Sequence, residues 1–285
     1  MTEPATDVVI RQVRAGDIEL EIAEAGGGGR PLLMVHGFTG AKEDFGDWWG
    51  RLAERGWHVV APDLRGHGAS DHPPRTEDYS LGLFETDLLA LVDDLGWDRF
   101  VLLGHSMGGM IGQVVAIEHP GRIDGLVLMD TVAGPPEGSS MAVTMFVMKL
   151  GIRAARVNAF ARLLRKPPPG SPESVRRLYA ERPGYVDWLR AKVLATSLTM
   201  AKAMSAELPK GTDRLPALAA LDVPVLVMVG EHDMPGFVEG SRRMAEEIPG
   251  ASFALLEGAA HNPQLETPEA WWEALTSFLD GLTDR

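Results

Sequence analysis

Apolar positions along the chain follow two rhythms. Residues 8–13 and 18–23 alternate apolar and polar side chains around Gly16-Asp17, the period-two pattern of an antiparallel hairpin with one buried face. A glycine run at 26–29 reads as a connector. Four short, continuous apolar runs follow at 32–35, 58–61, 100–103 and 126–129. Between them lie helically spaced stretches at 48–55, 81–95 and 110–118. Continuous apolar strands alternating with helices predict an α/β fold: a mostly parallel central sheet with helices on both faces.

That rhythm stops at Asp130. From 131 to 222 no strand-like run occurs, only helical patterns at 141–164, 172–195 and 198–207, broken by Pro167-Pro168-Pro169-Gly170 and by Arg182-Pro183-Gly184. Strand runs resume at 223–229 and 252–256, and 268–279 closes the chain as an amphipathic helix. The expected organisation is a core of residues 1–130 and 223–285 with a helical cap, 131–222, inserted between two strands. Such an insertion sits over the carboxyl ends of the strands, where open α/β sheets bind ligands.

Charge and composition narrow the partners. The net charge is −13 over 285 residues, which disfavours nucleic acid. The densest basic stretch, 153–166, has helical spacing and reads as a solvated helix face. The absence of cysteine excludes disulfides, thiolate metal sites and cysteine nucleophiles. The first residues lack the basic start and apolar run of a signal peptide, and no apolar run reaches membrane-spanning length. The expectation is a cytoplasmic protein acting on a small molecule, with no membrane or nucleic-acid partner, no cofactor and no metal.

The chemistry concentrates in a few places. Gly104-His105-Ser106-Met107-Gly108 follows the 100–103 strand and opens a helix. A nucleophile at the tip of so tight a strand-to-helix turn needs flanking residues without side chains, and Gly104 and Gly108 supply that room around Ser106. The G-x-G-x-x-G spacing of a dinucleotide-binding turn is absent. His105 adjoins Ser106 but points away from it on such a turn, which gives it a supporting role. His36-Gly37-Phe38-Thr39-Gly40 follows the 32–35 strand; with Met107, Phe38 is the candidate backbone donor for an oxyanion hole. His261 is the histidine on a loop after the last strand and is the candidate base, whereas His119 ends the helix after Ser106 and His232 sits among the acid candidates. Asp233 follows the 225–229 strand and is the expected acid, by loop placement and the order Ser–acid–His. Asp130, at the end of the strand before the cap, is the alternative, and Glu231 lies too close to its strand end.

Together, His36-Gly-Phe-Thr-Gly40, Pro62-Asp-Leu-Arg-Gly-His-Gly68, Gly104-His-Ser-Met-Gly-Gly109, Gly230-Glu-His-Asp233 and His261 resemble the α/β-hydrolase superfamily, in its capped branch of esterases, lactonases, enol-lactonases and haloperoxidase-like enzymes. The resemblance covers nearly the whole chain, although the cap matches only by position. It implies the α/β-hydrolase fold and a Ser106–His261–Asp233 triad that cleaves an ester, thioester or lactone, with Asp63 and Arg65 in structural roles. Epoxide hydrolases and haloalkane dehalogenases resemble the same pattern but carry Asp where this chain has Ser106. Met141, Met145 and Met148 share one face of the first cap helix, and Met200 and Met204 lie on a later one. They read first as packing; if some line the site, the substrate is medium-sized and apolar. A small-molecule sensor, or a lyase or synthase reusing the triad, is the alternative class.

Overall fold

The computed structural model describes residues 7–134 and 164–282. Among these residues eight strands form one sheet: β1 (Val9–Ala15), β2 (Ile18–Ala25), β3 (Arg30–Val35), β4 (Trp57–Pro62), β5 (Phe100–His105), β6 (Ile123–Met129), β7 (Val225–Gly230) and β8 (Ser252–Leu256), in the order β1-β2-β4-β3-β5-β6-β7-β8. The hairpin β1–β2 and the β2–β4 pair are antiparallel, and every later pair is parallel. This is the mostly parallel sheet expected from the apolar runs.

Those runs are continuous because both faces are covered. Along β5, Leu102 joins one apolar layer, while Val101 and Leu103 join the layer on the opposite face. The first layer is completed by α2 (Leu81–Asp94), α3 (Met107–Glu118) and the later helix Pro235–Glu247; the second by α1 (Trp49–Ala53) and the closing helix Pro268–Gly281, whose Trp271 is fully buried. Helix α3 begins three residues earlier than its apolar periodicity suggests, because the turn at Ser106 runs directly into it.

Between β6 and β7 the described residues hold only helices: α4 (Glu173–Glu181), α5 (Tyr185–Leu194), α6 (Leu198–Glu207), a 3-10 turn and α7 (Leu215–Leu218). Arg182-Pro183-Gly184 separates α4 from α5, and Gly184 takes the left-handed conformation that the break requires (φ 72°). Met200 and Met204 are fully buried in the first apolar layer. Met141, Met145, Met148 and most of the basic stretch lie outside the described residues. Helix α8 is Pro235–Glu247, α9 is Pro263–Glu266 and α10 is Pro268–Gly281.

Strand order reverses around β3, which pairs with β4 on one side and β5 on the other. The loops leaving β3 and β5 therefore emerge side by side at a topological switch point, the usual ligand site of an open α/β sheet.

Candidate active site

The loop leaving β5 forces Ser106 into φ 55°, ψ −116°, a strained conformation for an L-residue that costs of order 1–3 kcal/mol. Its surroundings hold it there. Ser106 N donates to the Met129 carbonyl at 2.9 Å, and the Ser106 carbonyl accepts from Gly109 N (3.0 Å), Met110 N (3.2 Å) and Thr131 Oγ1 (2.8 Å). The flanking glycines are sterically required: a Cβ on Gly104 would overlap the Gly108 backbone, and one on Gly108 would overlap the carbonyls of Val35 and His36.

Three side chains from distant loops converge on this turn. His261 Nε2 lies 3.1 Å from Ser106 Oγ, and His261 Nδ1 lies 3.0 and 2.9 Å from the two Asp233 oxygens. Asp233 also accepts from Met234 N at 2.7 Å, and its side chain is buried. Burial opposes charge on His261, but the adjacent Asp233 carboxylate outweighs it and raises the imidazole above its ordinary value of 6.5. Two residues brace the histidine loop. His105 Nε2 donates to the His261 carbonyl at 2.7 Å, and Glu266 accepts from the amides of Ala260 and Asn262 on either side of His261. Burial holds His105 well below 6.5, so it is a neutral donor near pH 7.

The other acid candidates are placed differently. Exposed Glu231 accepts from Gly258 N. Asp130 is fully buried beside Asp233 and His261, with φ 47°; its Oδ1 accepts from Gly230 N at 2.9 Å, and its Oδ2 is buried and meets no nitrogen donor among the described residues. Burial, and then the charge of Asp233, push its carboxyl well above the usual range. Asp130 therefore favours its protonated form far more than an ordinary aspartate does. Ligand atoms of Asp130, Asp233 and His261 lie within 4.8 Å of one another; His261 engages both Asp233 oxygens and Gly230 N engages Asp130 Oδ1, which leaves only Asp130 Oδ2 without a donor among the described residues. His119 pairs with Glu85 at 2.7 Å, and His232 is exposed.

The loop after β3 closes the other side. A Cβ on Gly37 would lie 3.0 Å from Ser106 Cβ, so any side chain here would crowd Ser106. His36 Nε2 accepts from Leu64 N at 3.1 Å, which leaves Nδ1 to donate to the Gly37 carbonyl at 2.8 Å. His67 Nε2 meets the Phe38 carbonyl at 2.8 Å. Burial drives His36 down to about 4 and His67 to about 3, so both act as neutral braces. With the Phe38 carbonyl held by His67, its amide and that of Met107 make no hydrogen bond among the described residues, and both residues line the same cavity as Ser106. Asp63 anchors this region by accepting from Lys42 N (2.9 Å) and Lys42 Nζ (2.8 Å), and Arg65 forms a two-pronged pair with Asp87.

Sequence patterning gave no sign of one further pair. Lys192 of α5 meets Asp44 at 2.6 Å in the wall of the cavity; both side chains are buried, and the ammonium also packs on the Trp188 ring at 4.3 Å. Its partners lie 148 residues apart. The cavity encloses 880 Å³, with Met110, Val132, Leu189 and Phe237 among its apolar walls. No helix among the described residues is long and apolar enough to cross a membrane.

Known proteins place this geometry in context. Residues 30–268 match the family model described as the alpha/beta hydrolase fold. The chain is 28% identical to Epoxide hydrolase A of Mycobacterium tuberculosis, over 95% of this chain and 97% of that protein. It is also 28% identical to 3-oxoadipate enol-lactonase 2 of Acinetobacter baylyi, over 93% of this chain and 94% of the relative. Among solved structures, a thermophilic esterase from Thermogutta terrifontis superposes with a TM-score of 0.78 at 27% identity, covering 97% of this chain and 99% of its own.

Proposed function

Because this chain belongs to the α/β-hydrolase fold family and is a hydrolase, we propose that it is a serine hydrolase that cleaves a carboxylic ester, thioester or lactone through an acyl-enzyme. The observation that carries the reading is the continuous path from Ser106 Oγ through His261 to Asp233, at 3.1 Å and 2.9–3.0 Å. His261 takes the Ser106 proton as Oγ attacks the carbonyl, the Phe38 and Met107 amides hold the oxyanion, and Asp233 keeps the imidazole in the tautomer that accepts at Nε2. The imidazolium then protonates the leaving group, and the neutral imidazole activates water to release the acid. A cavity of 880 Å³ with largely apolar walls suits a small to medium substrate with an apolar body.

Similarity to an epoxide hydrolase raises a second possibility, and the nucleophile weighs against it. A serine alkoxide opening an epoxide would form an ether that water cannot readily cleave, whereas an ester intermediate turns over. The test is Ser106→Ala. It should abolish both p-nitrophenyl ester turnover, by at least about 10⁴-fold, and fluorophosphonate labelling, with an unchanged circular dichroism spectrum. Retained turnover would overturn the reading.

A further inference from the structure

Three cations among the described residues line the cavity, and they differ in kind. Lys192 is neutralised by Asp44, and Lys210 is exposed. Arg214, just ahead of α7, is half-buried and has no ion pair among the described residues. Its Nε donates to Gln113 Oε1 at 2.8 Å. Gln113 is fully buried and commits its own amide nitrogen to the Val132 carbonyl at 3.1 Å, so its oxygen is fixed toward Arg214. Arg214 N donates to the Ala133 carbonyl at 2.9 Å. The side chain is thus held at its backbone and at Nε, while Nη1 and Nη2 make no hydrogen bond among the described residues.

Neighbouring carboxylates are engaged elsewhere. Asp213 accepts from Leu215 N and pairs with Arg243, and Glu207 accepts from Leu81 N. Burial lowers the affinity of Arg214 for its proton, and only Asp213 offsets this. A desolvated guanidinium without a counter-ion among the described residues is a costly arrangement, and the two nitrogens that meet no acceptor there present the fork that a carboxylate satisfies with two parallel hydrogen bonds.

We propose that Arg214 is an anion subsite of the substrate pocket and that the physiological substrate carries a carboxylate at the end remote from its scissile bond. The inference rests on the hydrolase reading of Ser106 and refines its substrate. The rise along α3 gives a scale for the chain length to test. Gln113 lies seven residues beyond Ser106 on the helix that Ser106 begins, about 10 Å along the axis at the α-helical rise. That corresponds to about eight bonds of extended chain, at roughly 1.2 Å each.

The test compares mono-p-nitrophenyl azelate, which ends in a carboxylate, with p-nitrophenyl nonanoate, which ends in a methyl group. The wild-type protein should favour the azelate ester by about tenfold or more in kcat/KM. Arg214→Gln should bring that ratio to about one, and Arg214→Lys should keep part of the preference. A wild-type ratio at or below one, or a ratio unchanged in Arg214→Gln, overturns the subsite. If neither ester is turned over, the hydrolase reading fails, and calorimetric titration of monomethyl azelate decides the subsite alone. Binding to the wild type that weakens at least tenfold in Arg214→Gln upholds it; no binding, or equal binding, refutes it.

Discussion

Two buried carboxyl groups stand within reach of one imidazole, and replacing each by its amide tells them apart. In Asp233→Asn the amide nitrogen or oxygen must face His261 Nδ1, where two carboxylate oxygens stood at 2.9–3.0 Å. An amide that turns its N–H toward Nδ1 moves the imidazole proton to Nε2, and Nε2 then donates to Ser106 Oγ instead of accepting from it. The imidazolium formed during attack also loses its counter-charge. A wrong tautomer of this kind costs about 10⁴-fold in turnover, or about 5 kcal/mol at 1.4 kcal/mol per decade. Asp130→Asn differs because burial and the charge of Asp233 already favour the uncharged form of that carboxyl, so a neutral amide disturbs it less. Its Oδ1 still accepts from Gly230 N, and an amide N–H takes the place of the oxygen that meets no donor among the described residues. The loss should stay within about tenfold, about 1.4 kcal/mol. The measurement is kcat/KM for a p-nitrophenyl ester at pH 8, with thermal melts to establish that both variants are folded. A drop in folded Asp130→Asn as deep as that in Asp233→Asn would refute the assignment of roles and make Asp130 the acid that orients His261.

Turnover should fall as pH drops through the His261 pKa, because the imidazolium cannot accept the Ser106 proton. A pH profile of kcat/KM should place that midpoint above 6.5, since Asp233 raises the folded-state value; a midpoint well below 6.5 contradicts it. In stability the sign is opposite: the His261 contribution is complete below 6.5 and disappears as pH rises through the folded value. Asp44→Ala strands the Lys192 ammonium in a buried wall and should cost about 3–5 kcal/mol, a fall in Tm of about 6–20 °C for a chain of this size. Asp44→Ala with Lys192→Met should recover most of that loss; melting curves showing additive losses would deny the coupling.

What the sequence made legible follows from what each feature depends on. The strands could be read because a sheet covered on both faces needs apolar side chains at consecutive positions, as Val101, Leu102 and Leu103 show by dividing between two layers. Ser106 and its glycines could be read because the turn is local and its steric demands fall on adjacent residues. His261 and Asp233 needed chain order as well as pattern, and the geometry brings both within hydrogen-bonding distance of their expected neighbours. By contrast, the Lys192–Asp44 pair spans 148 residues and the Arg214–Gln113 bond spans 101, and no periodicity records either. Asp130 was visible as a position, but its protonation state is a property of burial and of Asp233 beside it, which only packing determines.

The Lys192–Asp44 contact has a consequence for redesign. One partner rides on a helix between β6 and β7 and the other on the 3-10 turn that follows Phe38, so the two segments are electrically matched parts. A foreign segment grafted between β6 and β7 without a cation at that height would bury a bare carboxylate a few residues from Phe38. Exchange of specificity between relatives by segment swapping should therefore succeed when residue 44 travels with the graft, and otherwise yield proteins whose first fault is a loosened loop rather than an altered pocket.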